Sequence, residues 1–212
     1  MPVNIAAIIL AAGRSCRMGT QKLLLPLGGQ TVIENIVDRI LAGGVRQLVV
    51  VVGPQGSTDS MAITEALADR PLAIVHNSDP QGEMLSSVRC GVHALPPDCE
   101  AAMVVLGDQP SITSALVKQV VAAHRSQNCG IVLPICGGKR GHPTIISARY
   151  FGEILTRHDG VGLRGLLEAH AEDIFELVMT DPLLLADMDH PADYQRHLSA
   201  MSKSLPNKGS SG

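Results

Sequence analysis

A chain of 212 residues, 45% hydrophobic and 17% charged, can bury about 70% of the surface its unfolded form exposes, so a single domain over residues 1–200 is the economical expectation. A formal charge of −3, basic residues scattered outside one loop and Lys139-Arg140, two Tyr, two Phe and no Trp exclude a phosphate-backbone footprint and a set of base-stacking platforms, so no nucleic-acid partner is expected. Five cysteines without a Cys-x-x-Cys pair, no signal-like start and no apolar run near ~20 residues argue against a disulfide framework, a zinc site and a membrane partner, and for the cytoplasm.

Residues 5–12 form the first expected strand, whose apolar run breaks into Gly13-Arg14-Ser15-Cys16-Arg17-Met18-Gly19-Thr20-Gln21-Lys22. Gly13 and Gly19 can take positive φ and keep a Cβ away from a ligand, while Arg14, Arg17 and Lys22 supply positive charge. An anion-binding turn suited to a nucleoside triphosphate results, and a plain strand-to-loop turn with surface cations is the alternative. Five residues separate the two glycines and no Gly-x-Gly-x-x-Gly occurs, so this is neither a P-loop nor a dinucleotide fingerprint. Cys16 has no paired His and reads as a small loop residue.

Pro26 and Gly28-Gly29 forbid a long helix after Lys22, and Thr31-Val32-Ile33-Glu34 is a capping box opening a helix that stops at Gly43-Gly44. The Val/Leu run at 47–53 reads as a strand buried on both faces, and a helix over 58–68 and a strand over 72–76 repeat the pattern. A turn cluster over 77–82 leads into a helix over 83–92, whose first turn offers free N–H groups, Ser86 and Ser87. The strand over 101–106 ends in Gly107-Asp108-Gln109-Pro110, Thr113 caps a helix through 126, and the next strand covers 130–135. A glycine-rich turn over 137–143 enters a strand at 144–147, 160–167 is a loop feeding a short helix, a strand covers 174–180, and after the segment 183–189 a last helix starts near Pro191. From Met201 the chain lacks periodicity and is expected to be disordered. The alternation predicts an α/β fold with a mostly parallel, doubly wound, Rossmann-like sheet in three α/β/α layers, with its ligand outside the carboxyl ends of the strands.

Asp108 ends an otherwise apolar strand at such a position, where a hard cation such as magnesium is its natural partner, with an Asx turn as the alternative. Asp187 and Asp189 have alternating spacing and point the same way if that piece is extended. Asp189 is the preferred second metal ligand, against a role in capping the final helix. His142 reads as a substrate contact or turn residue, because no nucleophile lies at a pairing distance in sequence. Arg140, between Gly138 and Gly141, is either an acceptor contact or a solvated turn cation.

The motifs L-A-A-G-x-S-x-R-M-G-x-x-K at 10–22, G-D-Q-P at 107–110, G-K-R-G-H-P at 138–143, G-L-R-G-L-L at 162–167 and D-x-D-x-P-x-D-Y at 187–194 together resemble the molybdenum cofactor cytidylyltransferase family, within the wider nucleotidyltransferase superfamily. The opening motif and Asp108 alone indicate only that wider fold. The resemblance implies magnesium-dependent transfer of CMP from CTP to the phosphate of molybdopterin with release of pyrophosphate. It implies that Arg17, Lys22 and the loop amides hold the triphosphate, that Asp108 and Asp189 hold Mg2+, and that Arg17, Lys22 and Asp108 are the catalytic set. Base and ribose are expected over Leu10, Ala11, Ala12 and Gly13 and over the turn from Asn77 to Ser87, with Gly82, Ser86 and Ser87; Arg14, Ser15 and Gly19 complete the nucleotide-binding set, and Arg140, His142 and Arg164 lie on the acceptor side. A recipient molybdoenzyme or its maturation chaperone is the implied protein partner. Ala12 stands where guanylyl relatives usually carry a second glycine, and His190 stands where Thr is common. Guanylyl or sugar-phosphate transfer, and a non-catalytic cofactor carrier, are the alternatives. A phosphate monoester is already a nucleophile and pyrophosphate already a leaving group, which accounts for the lack of a Ser/Cys/His constellation.

Overall fold

Runs of Ile, Val, Leu and Ala at 5–11, 47–52 and 101–106 have no polar face to offer water, and they become the centre of a sheet covered on both sides. The computed structural model describes residues 3–13, 21–79 and 83–204, the last four by their backbone alone. Its strands are β1 (Ile5–Ala11), β2 (Pro26–Leu27), β3 (Gln30–Thr31), β4 (Gln47–Val52), β5 (Ala73–His76), β6 (Ala101–Leu106), β7 (Ile131–Cys136), β8 (Lys139–Arg140), β9 (Thr144–Ser147) and β10 (Ile174–Val178). Its helices are α1 (Val32–Ala42), α2 (Thr58–Ala66), α3 (Met84–His93), α4 (Ser114–Ser126), α5 (Phe151–Thr156), α6 (Leu163–Ala169) and α7 (Pro191–Ser204).

The main sheet runs β10-β7-β9-β6-β1-β4-β5, with β8 paired to β7. β1 pairs in parallel with β4 on one side and β6 on the other, and β9 lies antiparallel between β6 and β7. The chain therefore reverses its direction of winding at β1 and β6, which opens a crevice at their carboxyl ends. Alternate β1 residues separate the two cores. Ile5, Ala7, Ile9 and Ala11 pack with α1 and α4. Ile8 packs with Leu85 and Val88 of α3, Ile154 of α5 and Leu166 of α6. The expected three-layer α/β/α arrangement is observed, mostly parallel and with its antiparallel strands confined to the β7–β9 side.

The capping box at α1 forms as expected: the Glu34 N–H donates to Thr31 Oγ1 at 3.4 Å, and the Thr31 N–H donates to the Glu34 carboxylate at 2.6 Å. Pro26 and the glycine pair make the small β2–β3 hairpin, with Gly28 and Gly29 at φ 65° and 90°. Two expectations change. α7 continues to Ser204, past the point at Met201 where disorder was expected, because the helix started at Pro191 carries on through polar residues; residues 205–212 lie outside the described residues. The helix α5, which was not expected, packs against α3. No helix among the described residues is long and apolar enough to cross a membrane.

Candidate active site

The crevice is floored by the end of β1. Ala11, Ala12 and Gly13 border a cavity of about 580 Å³ together with Gln21, Asn77 and Ser87, and with Gly53, Pro54 and Ser57–Asp59 leading into α2. Gly13 does not take the positive φ expected of it. Its contribution is open space, with no atom of the described residues within 4 Å of the point a Cβ would occupy. Arg14, Ser15, Cys16, Arg17 and Gly19 of the opening loop, and Gly82, lie outside the described residues.

β6 delivers Asp108 to the same place. The Gly107 N–H donates to Leu10 O at 3.0 Å, and a Cβ on Gly107 would stand 2.7 Å from that oxygen, so only glycine lets the end of β6 close onto β1. Lys22, in a short 3-10 turn over Lys22–Leu24, lies between two carboxylates: Nζ to Asp108 Oδ2 is 2.7 Å and to Asp189 Oδ1 is 3.0 Å. Burial depresses the ammonium's pKa, but hydrogen bonding and charge from Asp108 and then Asp189 outweigh it, and Lys22 ends above the ordinary lysine range. The structure thus brings Lys22, Asp108 and Asp189 together from three segments of the chain.

The 187–189 segment is sewn to the Asp108 turn. The Met188 N–H donates to Asp108 O at 2.9 Å while its side chain is fully buried, and Gln109 Nε2 donates to Asp187 Oδ1 at 2.8 Å. Asp187 and Asp189 therefore stand on the side opposite Met188, as the alternating spacing predicts. A second cavity of about 300 Å³ is bordered by Leu10, Ala12, Gly13, Lys22, Met84, Ser87, Asp108 and Asp187. The capping role weighed for Asp189 falls to Asp193, whose carboxylate accepts the N–H groups of Asp189 at 3.1 Å and His190 at 2.8 Å. Those backbone bonds to His190 and Asp189, with the Arg196 guanidinium, hold its pKa below the usual carboxylate range. This is the acidic half of a capping box with Pro191 at the first helical position, and it needs no hydroxyl at His190.

Asn77, on the wall of the first cavity, and Ser86 also brace the site. Asn77 Nδ2 donates to Ser86 Oγ at 2.8 Å and Ser87 Oγ at 3.0 Å, and its Oδ1 accepts the Asp79 N–H, which fastens the exit of β5 to the first turn of α3. Ser86 Oγ in turn donates to Glu83 O. Ser87 alone of the two serines borders the cavities.

A third cavity, about 1000 Å³, opens beyond Met84, which borders it as well as the second. Arg140, His142 and Arg164 all face it, so the three expected acceptor residues are brought together. They differ in state. Arg140 Nε donates to Glu176 Oε1 at 2.8 Å, whereas Arg164 has no hydrogen-bond or ion-pair partner among the described residues. His142 Nδ1 lies 3.2 Å from Val104 O, which can only accept, so Nδ1 carries the proton and Nε2 is an acceptor. Burial pushes the His142 pKa down, keeping the ring neutral.

Gln109 and the entry to α2 were not foreseen as site elements. The rule that ligands gather at strand carboxyl ends could have found the latter, since Gly53-Pro54 follows β4 directly.

A parallel sheet whose winding reverses above a glycine-bearing turn, a bridging lysine and two carboxylates defines a nucleotide-handling α/β enzyme. The family model of the MobA-like NTP transferase domain matches residues 7–174, and the chain belongs to that family. It is 27% identical over 191 residues to the molybdenum cofactor cytidylyltransferase of Escherichia coli (strain K12), covering 90% of this chain and 93% of that protein. Among solved structures, Rv0371c from Mycobacterium tuberculosis H37Rv superposes with a TM-score of 0.81 at 27% identity over 94% of this chain and 99% of that one. The Rv0371c complex with manganese gives a TM-score of 0.77 at 25% identity over 93% and 100%.

Proposed function

We propose that this nucleotidyltransferase moves CMP from CTP to the phosphate of molybdopterin, with magnesium, and releases pyrophosphate. The observation that carries the reading is Lys22 held between Asp108 and Asp189 at the carboxyl ends of β1 and β6. Two carboxylates from separate segments converge on one point, an arrangement that suits a cation. Among the described residues no three His, Cys, Asp or Glu groups form a metal cage, and magnesium needs none, since it is commonly held by one or two carboxylates together with substrate phosphates and water. Asp108 and Asp189 fit that role, and the manganese complex of Rv0371c supports a divalent cation in a related protein. When bound, the ion supplies charge neutralisation at the phosphates.

The chain's own groups do the rest. Lys22 and the loop after Gly13 take the triphosphate, and Ala12, where guanylyl relatives usually carry glycine, favours cytosine. Arg164 offers its unpaired guanidinium to the acceptor's phosphate, and neutral His142 offers Nε2 as a hydrogen-bond acceptor. Alignment of the acceptor phosphate with the α-phosphate is the main task, and no general base is required. The name of the Escherichia coli relative supports molybdopterin as the acceptor, and a recipient molybdoenzyme or its maturation chaperone is the protein partner of this reading. The test is pyrophosphate release with each of the common NTPs, magnesium and protein-bound molybdopterin. Release with CTP and molybdopterin is expected, and release favoured by GTP or requiring only a sugar phosphate overturns the assignment.

A further inference from the structure

We propose that Arg89 is a positioning residue: it locks the loop that carries Arg164 onto the helix that borders the nucleotide cavity, so that acceptor and nucleotide are registered on one support. The inference rests on the reading of the third cavity as the acceptor site.

Helix α3 separates the two halves of the site. Ser87 near its start borders the first and second cavities, and Met84 borders the second and third. Arg89 lies on the same helix but borders none of these cavities. Its guanidinium reaches the other way, where Nε donates to Ile154 O at 2.8 Å, one terminal nitrogen to Asp159 Oδ1 at 2.6 Å and the other to Arg157 O at 2.7 Å. Ile154 and Arg157 lie at the end of α5, where backbone carbonyls have no partner within the helix. One planar fork thus satisfies two such carbonyls and a loop carboxylate at once, which the single ammonium of lysine cannot do.

The loop so held is stiff in itself. His158 sits at φ 72°, its carbonyl accepts the N–H groups of Val161 and Gly162, and its Nε2 lies 2.7 Å from Glu153 Oε1. Its ring lies against Gly165, where a Cβ would stand 2.5 Å from Nδ1. The glycine after Arg164 is therefore space for His158, and the loop and the first turn of α6 move as one piece. Apolar contacts of α3 with α5 set a distance but are non-directional. The three bonds of Arg89 add the orientation of this piece relative to α3, and with it the place of Arg164 relative to the nucleotide cavity.

The test uses the full chain and two readouts. In Arg89→Ala, amide hydrogen exchange over 157–165 should lose protection while 88–93 keeps it. The KM for protein-bound molybdopterin should rise about tenfold, with kcat and the Kd for CTP each within about twofold of the original. Arg89→Lys, keeping the charge and one donor, should fall between. Unchanged exchange over 157–165, or equal weakening of CTP and acceptor, overturns the proposal. If the unaltered protein transfers no CMP to molybdopterin, the functional reading fails, while the exchange pattern still decides the role of Arg89.

Discussion

The two halves of the site use charge in opposite ways. At the ends of β1 and β6, Lys22, Asp108 and Asp189 are locked together across segments up to 167 residues apart. In the third cavity, Arg140 is paired with Glu176, Arg164 has no partner among the described residues, and burial favours the uncharged ring of His142. On the proposed function, a corner that takes phosphates and a cation would gain from charges fixed before the ligand arrives, since nothing then reorganises during reaction. A cavity that admits a bulky acceptor would gain from room and from a cation not already paired.

The comparison breaks most sharply at Asp108. Asp108→Asn should lower the rate of nucleotidyl transfer about 10²–10³-fold with an unchanged circular dichroism spectrum. The fold is expected to survive because it is the backbone carbonyl of Asp108, not its carboxylate, that accepts the Met188 N–H and anchors the 187–189 segment. A variant with most of its rate intact would mean that the carboxylate pair serves only to hold Lys22.

A smaller effect distinguishes the two arginines of the acceptor cavity. Arg164→Ala should raise the acceptor KM about tenfold or more, the loss of one hydrogen bond to a charged group. Arg140→Ala should change it by no more than about twofold, because the half-exposed Arg140–Glu176 pair already consumes that guanidinium and is itself weak. Steady-state kinetics with varied acceptor decide it, and the reverse ranking would mean that Arg140 leaves Glu176 to meet the substrate.

What was legible in the sequence was what short-range chemistry dictates. Thr31-Val32-Ile33-Glu34 closes its own box within one turn, and the strands 101–106 and 144–147 were bounded by their apolar runs alone. The position of Asp108 followed from where an apolar strand ends. The contribution of Asp193 was hidden because a reversed cap puts the acid inside the helix, past His190 and Pro191, where it looks like a solvated first-turn charge. The bonds of Gln109 to Asp187 and of Arg89 to Asp159 join segments 78 and 70 residues apart, and no local pattern encodes them. Of the two properties read for Gly13, the positive φ is not used and the missing side chain is, since Gly13 borders the first two cavities.

The last contrast is one of pH. Burial lowers the pKa of His142 in the acceptor wall, and likewise of His124 on α4 and His197 on α7. An unfolded chain protonates these rings near pH 6.5, while the folded protein keeps them neutral to lower pH, so between the two values the unfolded state binds more protons. Stability should therefore be complete above pH 6.5 and fall as the pH drops below it. The carboxylates of Asp193 and Glu153, whose pKa values are lowered by the N–H groups of His190 and by His170 respectively, lose their contribution only in a separate window below about pH 4. Urea midpoints at pH 7.5, 6.5 and 5.5 should show the first decline. His142→Asn, whose amide nitrogen can still donate to Val104 O, should flatten it in part while leaving the Kd for CTP untouched. An undiminished slope would mean that His142 takes up its proton over the same pH range in the folded protein as in the unfolded chain, so that below about pH 6.5 the third cavity would carry a second cation beside Arg164 and its wall would no longer contrast with the charged corner at Lys22.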